Sequence, residues 1–317
     1  MAGAGTDVDW AKLIHAFGAA TNIPSYITDW RGANLRRKLD ADNYLRMAGF
    51  AYGLWPATAP ITLTLLDFLD GPDIDGDDAY LPLLFIDRIA HQCDRGDDAG
   101  AVGAAVTSHA AEIASWISAY AEADHHGQGR LRDDGSGLAD LVNARSRLEC
   151  FDLIPRLLPA VLPWMHDGRI RRRAWIAATI TAMARHPGLA DQRSALQATI
   201  ERTASAESDP HELSTLLIAL GDLGGKPSAW LDHQHVGVRI SAAIALGLAG
   251  DDAAAPVLRK AAREPAAYFA SFGDMAPPGQ FMTPPHGRDV LSEALRRIED
   301  GLDRATDLAA PARRTNS

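Results

Sequence analysis

The stretch that most limits how this chain can fold is Val238 to Glu264, VRISAAIALGLAGDDAAAPVLRKAARE. Its first half predicts a helix from about Val238 to Ala249 in which Ser241 is the only polar residue beyond Arg239 at the entrance. A helix apolar on every side has to be buried on every side. Its second half places Ala254, Val257, Leu258, Ala261 and Ala262 on one stripe at helical spacing, with Arg259, Lys260, Arg263 and Glu264 on the wet face. Between them Gly250-Asp251-Asp252 supplies a C-cap glycine and then an N-cap aspartate. Two helices this short cannot enclose an all-apolar helix alone, so the unit needs stacked neighbours.

Weaker copies support that requirement. Ile170-Arg171-Arg172-Arg173-Ala174-Trp175-Ile176-Ala177-Ala178 repeats the helix start, and Asp209-Pro210-His211-Glu212 runs into Leu216-Leu217-Ile218-Ala219-Leu220-Gly221. The pattern V-R-x-x-A-A-x-A-L-G-x-x-G-D followed by A-x-P-x-L, carried by Val238, Arg239, Ala242, Ala243, Ala245, Leu246, Gly247, Gly250, Asp251, Ala254 and Pro256, resembles a HEAT repeat of the phycobilin-lyase subtype. The N-terminal stretches DWAKLIHAFG, NIPSYI and ATAP resemble a large group of uncharacterised actinobacterial HEAT-repeat proteins. Together the resemblance covers about two thirds of the chain. It implies an all-α fold, a right-handed α-solenoid of antiparallel helix pairs, and a binding scaffold in general. A fold of that kind hosts many functions.

In chain order, Asp7 or Asp9 is expected to cap a short helix through Phe17, and Asn22 to cap the next with Pro24 in its first turn. Helices are expected over Asn34 to Tyr52, Pro60 to Leu69 (with Thr58 as cap), Asp78 to Cys93 and Ala101 to Ala123. The loop DHHGQGRLRDDGSG, 124–137, reads as flexible and as the strongest break. It separates an N-terminal half of the solenoid, 1–123, from C-terminal HEAT repeats, 138–264. Helices are then expected over Leu138 to Cys150, Leu153 to Met165 and Arg169 to Arg185. At Asp209-Pro210-His211-Glu212 the aspartate caps, the proline takes the first helical position and Glu212 reaches back. A proline- and aromatic-rich loop with a capping helix spans 265–303, and 304–317 reads as a disordered tail.

Composition narrows the function. The chain has 317 residues and 47% hydrophobic side chains, ample for a core. It contains no apolar run of membrane-spanning length, and MAGAGTDVDW has neither the basic nor the hydrophobic region of a signal peptide. A cytoplasmic location is therefore expected, with Cys93 and Cys150, which lack Cys-x-x-Cys spacing, as free buried thiols in a reducing compartment. The net charge of −10 argues against nucleic acid as the main ligand and for a basic or neutral partner. None of the seven tryptophans is followed four residues on by aspartate, the spacing used by HEAT-type alkylpurine DNA glycosylases.

Metal motifs fail on spacing. Counting from Asp73, an EF-hand loop would need glycine at 78 and glutamate at 84, where Asp78 and Leu84 stand. His125-His126 lacks a third ligand, His233-x-His235 reads as a turn, and the single pair His211-Glu212 falls short of a diiron set. No catalytic residue, metal or cofactor is assigned. The candidate partner-binding residues are Arg172, Arg173, Trp164 and Trp175, the most basic and aromatic spot, together with Phe272 and Phe281 of the proline-rich loop. Arg171 and Arg239 are expected to pair with aspartates of neighbouring repeats, with Asp167 capping, while Arg172 and Arg173 exceed the repeat pattern. The function expected is a non-enzymatic scaffold binding a protein on the concave face. The alternatives are an accessory protein or enzyme of small-molecule metabolism with a site in the groove, and a nucleic-acid-binding protein of the glycosylase kind.

Overall fold

The computed structural model describes residues 8–69, 76–93, 99–166, 173–264, 266, 270–271 and 286–300. The protein is all-α, with one two-stranded ribbon among the described residues. It divides into two compact units, Met1–Ala160 and Val161–Ser317. No helix among the described residues is long and apolar enough to cross a membrane.

The described residues of the first unit do not open with an α-helix. A single 3-10 turn, Trp10–Lys12, leads into β1 (Ile14–His15) and β2 (Gly18–Ala19), antiparallel with Ile14 opposite Ala19 and His15 opposite Gly18. The apolar spacing that suggested a helix through Phe17 belongs instead to a buried hairpin. Gly18 turns it at φ +117°, a conformation side chains avoid. The hairpin's backbone is tied to three helices' surroundings: Ala16 N–H donates to Ala48 O, Ala57 N–H to Ile14 O, and the Tyr120 hydroxyl to Ala16 O at 2.8 Å.

Around it lie α1 (Ile23–Arg31), α2 (Leu35–Phe50), α3 (Thr58–Leu69), α4 (Gly76–Gln92), α5 (Ala99–Ser108), α6 (Ala110–Glu122), α7 (His125–Arg132) and α8 (Leu138–Val161). Asn34 caps α2 by accepting from Arg37 N–H. One core joins Ile23, Ile27 and Trp30 of α1 to Leu45, Ile61, Leu65 and Phe85. A second gathers Ile14, Trp55, Ile113, Trp116, Tyr120 and Val142. Three expectations change here. The helix expected over Ala101 to Ala123 breaks at Ser108 and His109, whose side chains bond the carbonyl of Ala105 and so compete with the helical ladder. The expected loop 124–137 holds α7, started by Asp124 accepting from Gly127 N–H at 2.7 Å. The helices expected on either side of Phe151 are one, α8, with Pro155 and Pro159 inside it.

The second unit contains α9 (Arg173–Met183), α10 (Arg193–Ala206), α11 (Pro210–Asp222), α12 (Val236–Leu248), α13 (Ala255–Arg263) and α14 (His286–Glu299). Helix α11 packs between α9 and α12, and α12 also packs on α14; α10 touches α9 and α11, and α13 touches α12 and α14. As the all-apolar sequence requires, Gly237, Val238 and every residue from Ile240 to Gly247 are buried. The helices approach closely at two glycines. A Cβ on Gly221 would stand 2.4 Å from Ala245 Cβ, and one on Gly247 would stand 3.0 Å from Ala294 Cβ. The turn after α12 is as read: Gly250 sits at φ +73°, Asp251 N–H reaches Leu246 O, and the Asp251 carboxylate accepts from Ala253 N–H. Arg239 corrects an expectation. Among the described residues it binds no carboxylate, and its guanidinium donates to the carbonyls of His233 and Gln234 at the mouth of its own helix.

Candidate functional site

Of the six partner-binding candidates, Trp164 and Trp175 are described and Arg173 contributes the first residue of α9. Arg172, Phe272 and Phe281, with Arg171 and Asp167, lie outside the described residues. Trp164 stands in a 3-10 turn, Leu162–Met165, that packs on α9. It keeps only 4% of its surface exposed, so its ring belongs to the core and has no face to offer a partner. Trp175 is half-buried in the first turn of α9.

The start of α9 contains a group the sequence reading assigned elsewhere. Glu212 does not reach back to its own cap. Asp209 caps α11 by accepting from His211 and Glu212 N–H, both at 2.9 Å, and Asp209 N–H is held by Glu207. Glu212 is thereby released and accepts from Ala174 N–H of α9 at 2.8 Å. A carboxylate from one helix thus fills an unpaired donor at the N-terminus of its neighbour, where negative charge is favoured. Burial raises the Glu212 carboxyl above its ordinary value, and the Ala174 N–H works in the opposite direction. The internal acid at this helix end is Glu212, a residue whose N-cap was already complete; that surplus was the available signal.

The first unit holds a buried polar chain that begins in the hairpin. His15 is fully buried. Its Nδ1 accepts from Phe17 N–H at 3.0 Å, so the ring proton sits on Nε2 and is donated to Asn22 Oδ1 at 3.1 Å. The Asn22 amide donates in turn to the Tyr44 hydroxyl oxygen at 2.6 Å. Asn22 stands at the N-cap of α1 as expected but makes no cap bond; its side chain is used up in this chain. Tyr26 stacks on Tyr44 with ring centres 3.8 Å apart. Burial lowers the His15 imidazole below its usual value, the bond to Asn22 opposing it, and burial raises the Tyr44 phenol. The neutral tautomer is therefore set by backbone geometry.

A second polar group lies at the end of α2. Tyr52 sits at φ +64° and leaves 66% of its surface exposed. The Arg132 guanidinium lies over its ring, 4.2 Å from the centre, and donates through Nη1 to the Tyr120 hydroxyl at 3.1 Å. Tyr120 is stacked between Trp55 and Trp116.

Cys93 and Cys150 are free and buried, but they are not separate in space: the Cys150 thiol meets that of Cys93, and this contact and burial both push it well above the usual thiol range. A thiol so placed is a poor nucleophile. His235 N–H donates to His233 Nδ1, the geometry of a turn. Among the described residues no three His, Cys, Asp or Glu side chains come together as a metal site would need. Compared with models of protein families, with curated proteins and with solved structures, the chain finds no match.

Proposed function

We propose that the chain is a non-enzymatic interaction scaffold of the HEAT-repeat kind, a right-handed α-solenoid that binds a protein partner in the cytoplasm through the concave face of its C-terminal repeats. The observation that supports this is the order of packing in the second unit. Helices α9, α11, α12 and α14 follow one another as neighbours, while α10 and α13 each bridge two of them. Equivalent small residues meet at successive steps: Thr181 Oγ1 lies 3.4 Å from Ala219 O, Gly221 abuts Ala245, and Gly247 abuts Ala294. Such a row builds an extended surface from similar units. Arg172, Arg173, Trp175, Phe272 and Phe281 remain the proposed contacts; the buried Trp164 does not.

The test is capture of the tagged full chain from its native host under mild cross-linking, with the double variant Arg172→Ala, Arg173→Ala beside it. The expected result is one protein retained in stoichiometric amount, cross-linked to the second unit and weakened by the double substitution. Retention of no protein above a tag-only control, or copurification of a small molecule in its place, overturns the reading.

A further inference from the structure

We propose that Arg132 is a preformed carboxylate-binding point that receives an acidic peptide segment of a protein partner. The identity of that carboxylate's bearer rests on the scaffold reading; the site itself rests on the geometry of the first unit.

Arg132 is the last residue of α7, and its guanidinium is held from two directions. The Tyr52 ring covers one face, and the Tyr120 hydroxyl takes Nη1. Tyr120 cannot yield, because Trp55 and Trp116 sandwich its ring at 5.1 and 5.0 Å and its own proton goes to Ala16 O. Among the described residues the edge formed by Nε and Nη2 finds no hydrogen-bond partner and no carboxylate within ion-pair distance. The following Asp133 does not turn back to it, and Asp134 is engaged by Ser136 N–H. This is an arginine whose rotamer is already fixed and whose two-donor edge is unused. That edge matches the two oxygens of a planar carboxylate, and fixing the side chain beforehand removes part of the entropic cost of binding.

The surroundings point the same way. The C-terminus of α7 favours a cation there, but that does not account for the ring above it. Tyr52 is held at φ +64°, a conformation that non-glycine residues adopt only at a cost. Gly53 follows at φ +130°, with Asn143 Oδ1 pressed where its Cβ would be, 2.1 Å away. The backbone is thus kept in an unfavourable state that places a largely exposed tyrosine against the guanidinium. The net charge of −10, from which a basic or neutral partner is expected, opposes an acidic one over the surface as a whole, so the attraction is local to this guanidinium, whose two-donor edge matches a planar carboxylate.

The experiment uses the full chain with ¹⁵N-labelled arginine, titrated at low salt with acetyl-hexaglutamate, glutarate and inorganic phosphate, following the arginine Nε–H resonances. The wild-type Arg132 signal is expected to shift with the peptide. Arg132→Gln should weaken peptide binding by about tenfold or more, the equivalent of one charge-assisted pair. Arg132→Lys should weaken it by several-fold through loss of two-point geometry. Tyr52→Gly, which suits the positive φ and removes only the ring, covers the case in which Arg132→Gln fails to fold, and should also weaken binding several-fold. No shift with the peptide, equal affinity in all variants, or an equal response to glutarate or phosphate at the same anion concentration overturns the proposal. Those results would leave the capture experiment free to decide the scaffold reading, because its double substitution lies in the other unit.

Discussion

Gly221→Ala should destabilise the second unit although it replaces glycine inside a helix. In an open helix the change stabilises by about 1 kcal/mol, because alanine restricts the unfolded chain and favours helix. At Gly221 the new methyl would lie 2.4 Å from Ala245 Cβ and 2.9 Å from Ala245 Cα. Unstrained carbon contacts need about 3.5–4.0 Å, so α11 and α12 must part by about 1 Å. Alanine has no rotamer that turns away, and the obstacles are the fixed Cβ of Ala245 and the backbone Cα behind it, so the separation spreads along the helix pair. Overpacking of this type costs about 1–3 kcal/mol, and a backbone clash belongs at the upper end. The net expectation is a loss of about 1–2 kcal/mol. For a unit of this size that lowers the melting midpoint by about 2–8 °C. Gly103→Ala, with nothing within 4 Å of its Cβ position, is the control and should be neutral or stabilising. Adding Ala245→Gly to Gly221→Ala should recover stability beyond the sum of the single changes, the sign of direct coupling. Calorimetry of wild type, the three single variants and the double variant checks this. A Gly221→Ala variant as stable as wild type, or a double variant without coupling, refutes the close approach of the two helices.

Two titrations follow from the buried groups. Burial holds the folded-state pKa of His15 below its usual 6.5, so stability it contributes is present above that value and is lost as pH falls below it; His15→Leu should cost about 1–3 kcal/mol at pH 7.5 by orphaning Phe17 N–H and Asn22, with the gap narrowing towards pH 5.5, and a gap constant across that range counts against the neutral, doubly bonded ring. Glu212 has the opposite sign: its pKa is raised from 4.5 by burial, so its contribution is full below 4.5 and declines as pH rises through the raised value. Denaturant melts of wild type should therefore lose ground to Glu212→Gln with rising pH, whereas a gap that widens in favour of wild type contradicts a buried carboxylate at the start of α9.

Periodic and local features were legible in the sequence, because their causes lie within a few residues. The burial of α12, the Gly250 turn and the Asp209 cap follow from spacing and side-chain type alone. The hairpin was not legible. Ile14 to Ala19 is too short for a strand signal, and its pairing is held by Ala48, Ala57 and Tyr120 from distant parts of the chain. Asp124, read as part of a loop, caps a helix whose glycines at 127 and 129 conceal it.

The residues that only the tertiary structure could place are those whose partners are far away in sequence. Asn22 and Glu212 occupy positions where local rules assign them to their own helix ends. Folding sends Asn22 to His15 and Tyr44, and Glu212 to Ala174, because another group or no group is needed at the local cap while an unpaired donor waits across the interface. Arg132 and Tyr52 are separated by the whole of α3 to α6, and Cys93 and Cys150 by more than fifty positions; nothing in their neighbours announces a contact. Sequence pattern determines which face of each helix is dry. Which polar group meets which is decided by how those faces dock, since a hydrogen bond depends on distances of a few tenths of an ångström that periodicity does not encode.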